Sequence, residues 1–441
     1  MPRSPRSGRL QASLWPVPVM FKTLVKSRWF SGLWIVLLAL PASAQDLAVV
    51  GARVYADPQA EALDDATVIV REGRIVAVGP GTKIAVPAGM PTIDAKGMTV
   101  TAGFWNSHVH LIQPPFPQPD AQAASDLTTA LRDRFSRWGF TTLFDIASLP
   151  GDVRALRGRI AAGEVQGPRL LTVDMPFYPE NGTPIYVRDL WRELKVPSAE
   201  VATPAQAGER AARQLQAGAD GVKLFTGAIV GGAAGVMPMP LDIARATVAQ
   251  AHAHGKPAFA HPTDKRGMQI AVDSGVDVLA HTAPQDGPWD ADTISRLRQA
   301  DVALVPTLTL FEIEPRKDGA PEAFIRKFVG VAQQQVKAMS DAGGQILFGT
   351  DAGYTDAYDT RREFELMAEA GLDWRQMLAS LTTAPAARFG YASDSGRLAP
   401  GMEGDLVVLG ADPAQAATAL ADVRYTVRAG RVLYGKSAAV D

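Results

Sequence analysis

The chain has no cysteine among its 441 residues. Disulfides and thiolate ligands are therefore excluded, and any bound metal has to be held by nitrogen and oxygen donors. Net charge is also nearly absent, at −2, too weak a field to attract nucleic acid or an anionic membrane surface. Histidine is scarce, with six residues, so the position of each one carries information. No apolar run reaches the roughly 20 residues a membrane-spanning helix needs. The longest candidate, Trp29 to Leu40, follows Arg3, Arg6, Arg9, Lys22, Lys26 and Arg28 and ends in Pro41-Ala42-Ser43-Ala44. A basic region, a short apolar region and a small-x-small site in that order spell a secretory signal peptide over 1–44, cleaved after Ala44. The expected location is the periplasm or the exterior, with no stable membrane anchor after cleavage. The basic stretch is long for a signal, which leaves Met1 and Met20 as two candidate starts.

Beyond the leader, two β-rich ends flank a different middle. Ala48 to Val50, Thr67 to Val70 and Arg74 to Val78 read as strands, with Glu72-Gly73 as a hairpin turn. Gly404 to Leu409, Val423 to Val427 and Arg431 to Tyr434 have the same texture. These ends predict one small β-sandwich domain from residues 45–99 and 395–441. Between them, over 100–394, β-branched runs alternate with Ala/Arg/Leu-rich helical stretches, the pattern of repeated βα units around a parallel sheet. Eight strand candidates can be counted. They begin at Met98 to Phe104 and continue through Thr141 to Phe144, Leu170 to Val173, Gly221 to Phe225, Ala258 to Ala260, Val276 to Ala280, Ala303 to Val305 and Gln345 to Phe348. The expected fold is an α/β (β/α)₈ TIM barrel, whose catalytic groups gather at the C-terminal ends of its strands.

Four histidines fall at those ends. His108 and His110 are alternate residues of an extended segment and point the same way. His261 follows Ala258 to Ala260, and His281 follows Val278 to Ala280. Singly, each would more often be a satisfied core or turn residue; together they look like metal ligands. His252 and His254 lie two apart on a helical stretch, share no face, and suit packing or a helix C-terminus. Asp351, after the last strand, can touch a metal and move a proton, or simply cap the next helix. Lys223 sits within an apolar strand, where an unpaired ammonium is costly. Either it reaches the surface or its lowered pKa is used, for instance to capture carbon dioxide as a two-oxygen carbamate.

These residues in this order resemble the amidohydrolase superfamily, and within it the imidazolonepropionase-like and Xaa-Pro dipeptidase-like branch. The matching motifs are Gly103 to His110, Gly218 to Phe225, Ala260 to Thr263, Leu279 to Thr282, Val305 to Leu308 and Phe348 to Gly353, joined by Gly167 to Arg169 and Gly401 to Leu409. The resemblance implies two divalent ions, with zinc the leading candidate. His108, His110 and Asp351 would hold the more buried ion, His261 and His281 the exposed one, and carboxylated Lys223 would bridge them. Asn106 departs from the family, whose members commonly have Asp there. The implied activity is hydrolysis of a small-molecule amide by a metal-bridging hydroxide, with Asp351 passing the proton to the leaving amine. A dipeptide, an Xaa-Pro peptide or an N-acyl amino acid is the leading substrate. The alternatives are a mononuclear imidazolone-ring hydrolase or deaminase, a binuclear lactonase or phosphotriesterase, and an exported binding protein on an inactive barrel. A homo-oligomer is compatible with the sequence, which specifies no interface. The loops Gln113 to Pro119, Phe177 to Tyr186, Thr226 to Pro240 and Thr307 to Glu312, with Tyr354, are expected to line an apolar pocket.

Overall fold

A computed structural model describes residues 45–436. The signal peptide expected over 1–44 and the last residues of the 395–441 segment lie outside the described residues. Among the described residues, no helix is long and apolar enough to cross a membrane.

The two ends of the described chain meet in one eight-stranded sheet. Its order is Arg431–Gly435, Val423–Arg428, Leu406–Leu409, Thr99–Ala102, Leu47–Val54, Leu63–Arg71, Arg74–Pro80, with Thr92–Asp94 also paired to Leu47–Val54. The antiparallel pairing of Leu406–Leu409 with Thr99–Ala102 is the seam between the ends. Glu72 and Gly73 both take positive φ, 49° and 76°, as a tight turn matched to the strand twist requires. Val49, Val68, Ile75, Val100, Leu406 and Val427 share a single buried cluster, so residues far apart in sequence and in strand order pack together. In hydrogen-bonding terms the eight strands are one sheet.

The middle of the chain alternates parallel strands with helices. Phe104–Val109, Phe140–Asp145 and Arg169–Thr172 form one parallel sheet, and Val222–Phe225, Ala258–His261, Val278–Leu279 and Ala303–Leu304 form another. Hydrogen bonds continue beyond both sheets. Phe177 N donates to Lys223 O, Leu347 N to Leu304 O, and Ser107 N to Phe348 O. Trp105, Phe144, Leu171, Phe259, Val278 and Leu347, from strands all along this series, meet in one apolar cluster.

Two sequence expectations shift here. The run Met98 to Phe104 is two pieces: Thr99–Ala102 belongs to the terminal sheet, and the parallel strand starts at Phe104. His108 thus lies within its strand rather than after it. Gln345 to Phe348 pairs by a single bridge, Leu304 with Ile346, instead of a full strand. The helices follow local rules. Pro204–Gln216 starts at Thr203, whose side chain accepts from Gln206 N, and buries Ala207, Ala211 and Leu215 at helical spacing.

Candidate metal centre

His108 and His110 project from the strand Phe104–Val109 and the residue after it, and both are buried. Their partners fix which nitrogen carries the proton. His108 Nδ1 lies 2.9 Å from Ala280 O, and His110 Nδ1 lies 2.8 Å from Ala147 O. A backbone carbonyl can only accept, so each Nδ1 donates and each Nε2 of the neutral ring presents a lone pair. The two Nε2 atoms are 3.1 Å apart, and Asp351 Oδ1 is 3.1 Å from one and 2.8 Å from the other. Despite those distances, Oδ1 has no donor in good alignment. Three electron-rich atoms therefore converge in a dry place, which is unstable unless a cation sits among them.

The titration of the group agrees. Burial holds the His108 pKa down to about 4. Burial would lower His110 too, but the Asp351 carboxylate outweighs it and raises that pKa. Burial would raise Asp351, yet the two imidazoles hold it well below the usual carboxylate range. In the metal-free chain the cluster attracts a proton to the spot a metal cation would take.

Asp351 reaches this position by unusual backbone. Its φ is +59°, which Asp tolerates better than most residues, and its N–H donates to His108 O. At Gly353, with φ +100°, a Cβ would lie 1.7 Å from His110 O, so only glycine lets this segment lie against the histidine strand. The next helix begins at Arg361, which excludes the helix-cap role for Asp351.

The other three predicted residues face the same cavity, of about 500 Å³. His281 lies 4.6 Å, ring to ring, from both His108 and His261. Its Nδ1 is 2.8 Å from Thr307 Oγ1, which itself donates to Pro306 O. His281 Nδ1 therefore donates, and its Nε2 is again a lone pair. His261 stacks on Phe225 at 4.6 Å. Burial holds both His261 and His281 well below the ordinary histidine value, so they are neutral and fit to ligate. Lys223 is 1% exposed and makes no ion pair among the described residues. Burial lowers its pKa to about 7, which leaves much of it as a reactive neutral amine at neutral pH. A second hollow, about 550 Å³ beside Gln45, Pro91 and Arg431, contains none of the six.

Asn106 donates to Thr350 Oγ1 and accepts from His108 N. It braces both arms of the cluster without adding charge. His252 and His254 stand apart: one faces Asp277 on the surface, the other accepts its place at a helix C-terminus against Gln250 O.

Sequence reasoning missed three contributors. Asp145 ends its strand as the histidines do and was open to the same rule; burial pushes its pKa up to about 6, and it accepts from Leu111 N. The helix Glu322–Asp341 supplies Phe324 and Phe328 to the cavity wall, whereas no residue of Gln113 to Pro119 lines it. Glu363 is the third. It is buried, and it accepts from Leu308 N, Thr309 N and Thr309 Oγ1 at 2.8 Å each, clamping the turn that carries Thr307 and hence His281.

Burial raises the Glu363 pKa to about 7. The native chain then keeps a proton that the unfolded chain has released, so this group favours folding at acid pH and its contribution is lost as pH rises from the ordinary carboxylate range toward 7. Glu363→Gln is expected to flatten the pH dependence of unfolding free energy in that window. It should also cost about 1–3 kcal/mol, because one N–H loses its acceptor. Urea titrations at several pH values check both effects.

Comparison with known proteins agrees with this geometry. The amidohydrolase family model matches residues 99–434. Over 98 residues the chain is 33% identical to a dihydroorotase of Citrifermentans bemidjiense, a match spanning 22% of this chain and 21% of that protein. The chain therefore spans about a fifth of the length of that curated relative. Among solved structures, a candidate prolidase from Bifidobacterium longum superposes with a TM-score of 0.72 at 25% identity, covering 88% of this chain and 94% of that one. A Xaa-Pro dipeptidase with bound methionine gives 0.75 at 20% identity, covering 89% and 100%, a likeness of fold. The chain belongs to the amidohydrolase family.

Proposed function

We propose that this protein is an exported, metal-dependent hydrolase that cleaves the C–N bond of a small amide at the mouth of a (β/α)₈ barrel. The hydrogen bonds leading from strand to strand around Trp105 and Phe259 support the closed barrel. The shared core of the terminal strands supports a small β-sandwich curled from their single sheet. Export rests on the basic, apolar and small-x-small order of residues 1–44.

The observation that carries the metal reading is the meeting of His108 Nε2, His110 Nε2 and Asp351 Oδ1 with no well-aligned donor between them. Those three residues would hold one divalent ion, and His261 and His281 a second. Lys223, after its neutral amine adds to carbon dioxide and loses a proton, would supply a carbamate between them. Zinc suits the imidazole and carboxylate donors. Bound divalent ions lend Lewis acidity to a carbonyl and acidity to water. The chain's own residues do the rest. Asp351 takes a proton from the attacking water and returns it to the departing amine nitrogen, giving a carboxylic acid and an amine. The Nδ1 contacts to Ala280, Ala147 and Thr307 keep the imidazoles oriented. The aromatic walls exclude bulk water and hold an apolar substrate. Dipeptides, Xaa-Pro peptides and N-acyl amino acids, together with their uncharged amide counterparts, are the compounds to screen first.

Metal analysis of the purified protein, followed by a screen of amides, tests this. Two ions per chain and turnover of an amide are expected. One ion with unmodified Lys223 would favour a mononuclear ring hydrolase or deaminase, and a metal-replete but inactive protein would favour a binding role. Chelation should lower the thermal midpoint, because a ligand that binds only the native state at about 100 times its Kd adds about 2.7 kcal/mol. Restoring zinc should reverse the loss.

A further inference from the structure

The charges around the cavity narrow the substrate class, an inference that rests on the amide-hydrolase reading above. An Xaa-Pro peptide or an N-acyl amino acid carries a carboxylate close to the scissile nitrogen. Burying that carboxylate requires a cation or several donors. Among the described residues that line the cavity there is no arginine, and its one lysine is Lys223 of the metal set. Outside that set, the ionisable acids of the wall are Glu314 and Asp318, both of the wrong sign to receive an anion.

The nearby cations Lys317, Arg362 and Arg188 are not part of the cavity wall, and the first two are paired with acids. Lys317 Nζ lies 2.8 Å from Glu314 Oε1 and 5.5 Å from the Tyr354 ring centre. Arg362 is paired with Glu312, Glu365 and Glu369, and Arg188 donates to the carbonyls of Thr183 and Val230. Tyr354 could offer a phenolic donor, but its OH donates to Glu314 Oε2 at 2.8 Å. What remains is uncharged: Tyr178, Tyr186, Thr263, Thr282 and Gln285 are the other neutral polar groups of the wall, Trp191, Phe311, Phe324 and Phe328 line the outer cavity, and Ile185 stands 51% exposed at its rim. Outside the metal set, no positive charge of the wall offsets Glu314 and Asp318.

We propose that the amide cleaved by this protein carries apolar groups and no carboxylate, so that it is uncharged or cationic. The metal-loaded full chain is tested on two substrates with the same acyl group, N-hexanoyl-phenylalanine and N-hexanoyl-phenethylamine, which differ only by the carboxylate. Binding of the same pair to the metal-free chain is followed by thermal shift. The neutral amide should be preferred by about tenfold or more in kcat/KM, with a matching order in binding. Asp318→Arg should narrow that ratio by improving the acid. Equal or better use of the acid by the wild type, or failure of the neutral amide to bind, would overturn the proposal. Preferential binding of the neutral amide without turnover of any amide would uphold it while refuting amide hydrolysis. Turnover that favours the acid would do the reverse.

Discussion

Asp351→Asn is expected to lower kcat by about 10²–10⁴-fold, the usual contribution of a positioned proton carrier, while the fold survives. Survival follows from the backbone: φ at 351 is +59°, and Asn occupies that region as readily as Asp. Loss of activity follows from chemistry, since an amide neither accepts the water's proton nor contributes negative charge between His108 and His110. Steady-state kinetics beside far-UV circular dichroism separate the two. An Asn variant that turns over at the wild-type rate with metal bound would remove Asp351 from the mechanism.

Lys223→Met has the second large effect, and it runs in opposite directions for function and stability. The wild-type ammonium is buried and makes no ion pair among the described residues, and its pKa is lowered to about 7 by that burial. Methionine fills similar space without a charge to desolvate. The metal-free variant should therefore be more stable than the wild type by about 2 kcal/mol. The stabilising effect should shrink as pH rises above about 7, because the wild-type lysine sheds its proton there and its own penalty fades. Metal content should drop from two ions to one, with activity falling at least about a hundredfold as the second ion is lost. A function purchased with local instability is common at sites of this kind. A less stable Met variant with both ions retained would show that Lys223 serves packing alone.

Much of the candidate site was legible because side chains at the C-terminal ends of parallel strands meet at one opening. His108, His110, His261 and His281 each follow or close an apolar β-branched run, and Lys223 is conspicuous as the charge in such a run. The structure brings all of them, with Asp351, to one cavity. Less legible was anything decided by tertiary approach. The break at Gly103 between Thr99–Ala102 and Phe104–Val109 leaves no composition signal, because both pieces are equally apolar. Glu363 is an ordinary acid on a helical stretch by sequence, and its role arises only where the turn Leu308 to Thr309 packs over it. Nor does periodicity announce that Phe324 and Phe328 close the cavity, since their spacing on a helix is equally that of core packing.

Local hydrogen bonding accommodates Asn106 at this site. Its carboxamide still accepts from His108 N and donates to Thr350 Oγ1, so both arms stay in register without another negative charge beside Asp351.

The most direct measurement is anomalous diffraction at the zinc edge from crystals of the zinc-loaded protein. Two peaks in this cavity are expected, one against His108, His110 and Asp351 and one against His261 and His281, with extra density on Lys223 Nζ between them. A cavity without any peak, or ions bound only elsewhere on the chain, would contradict the account.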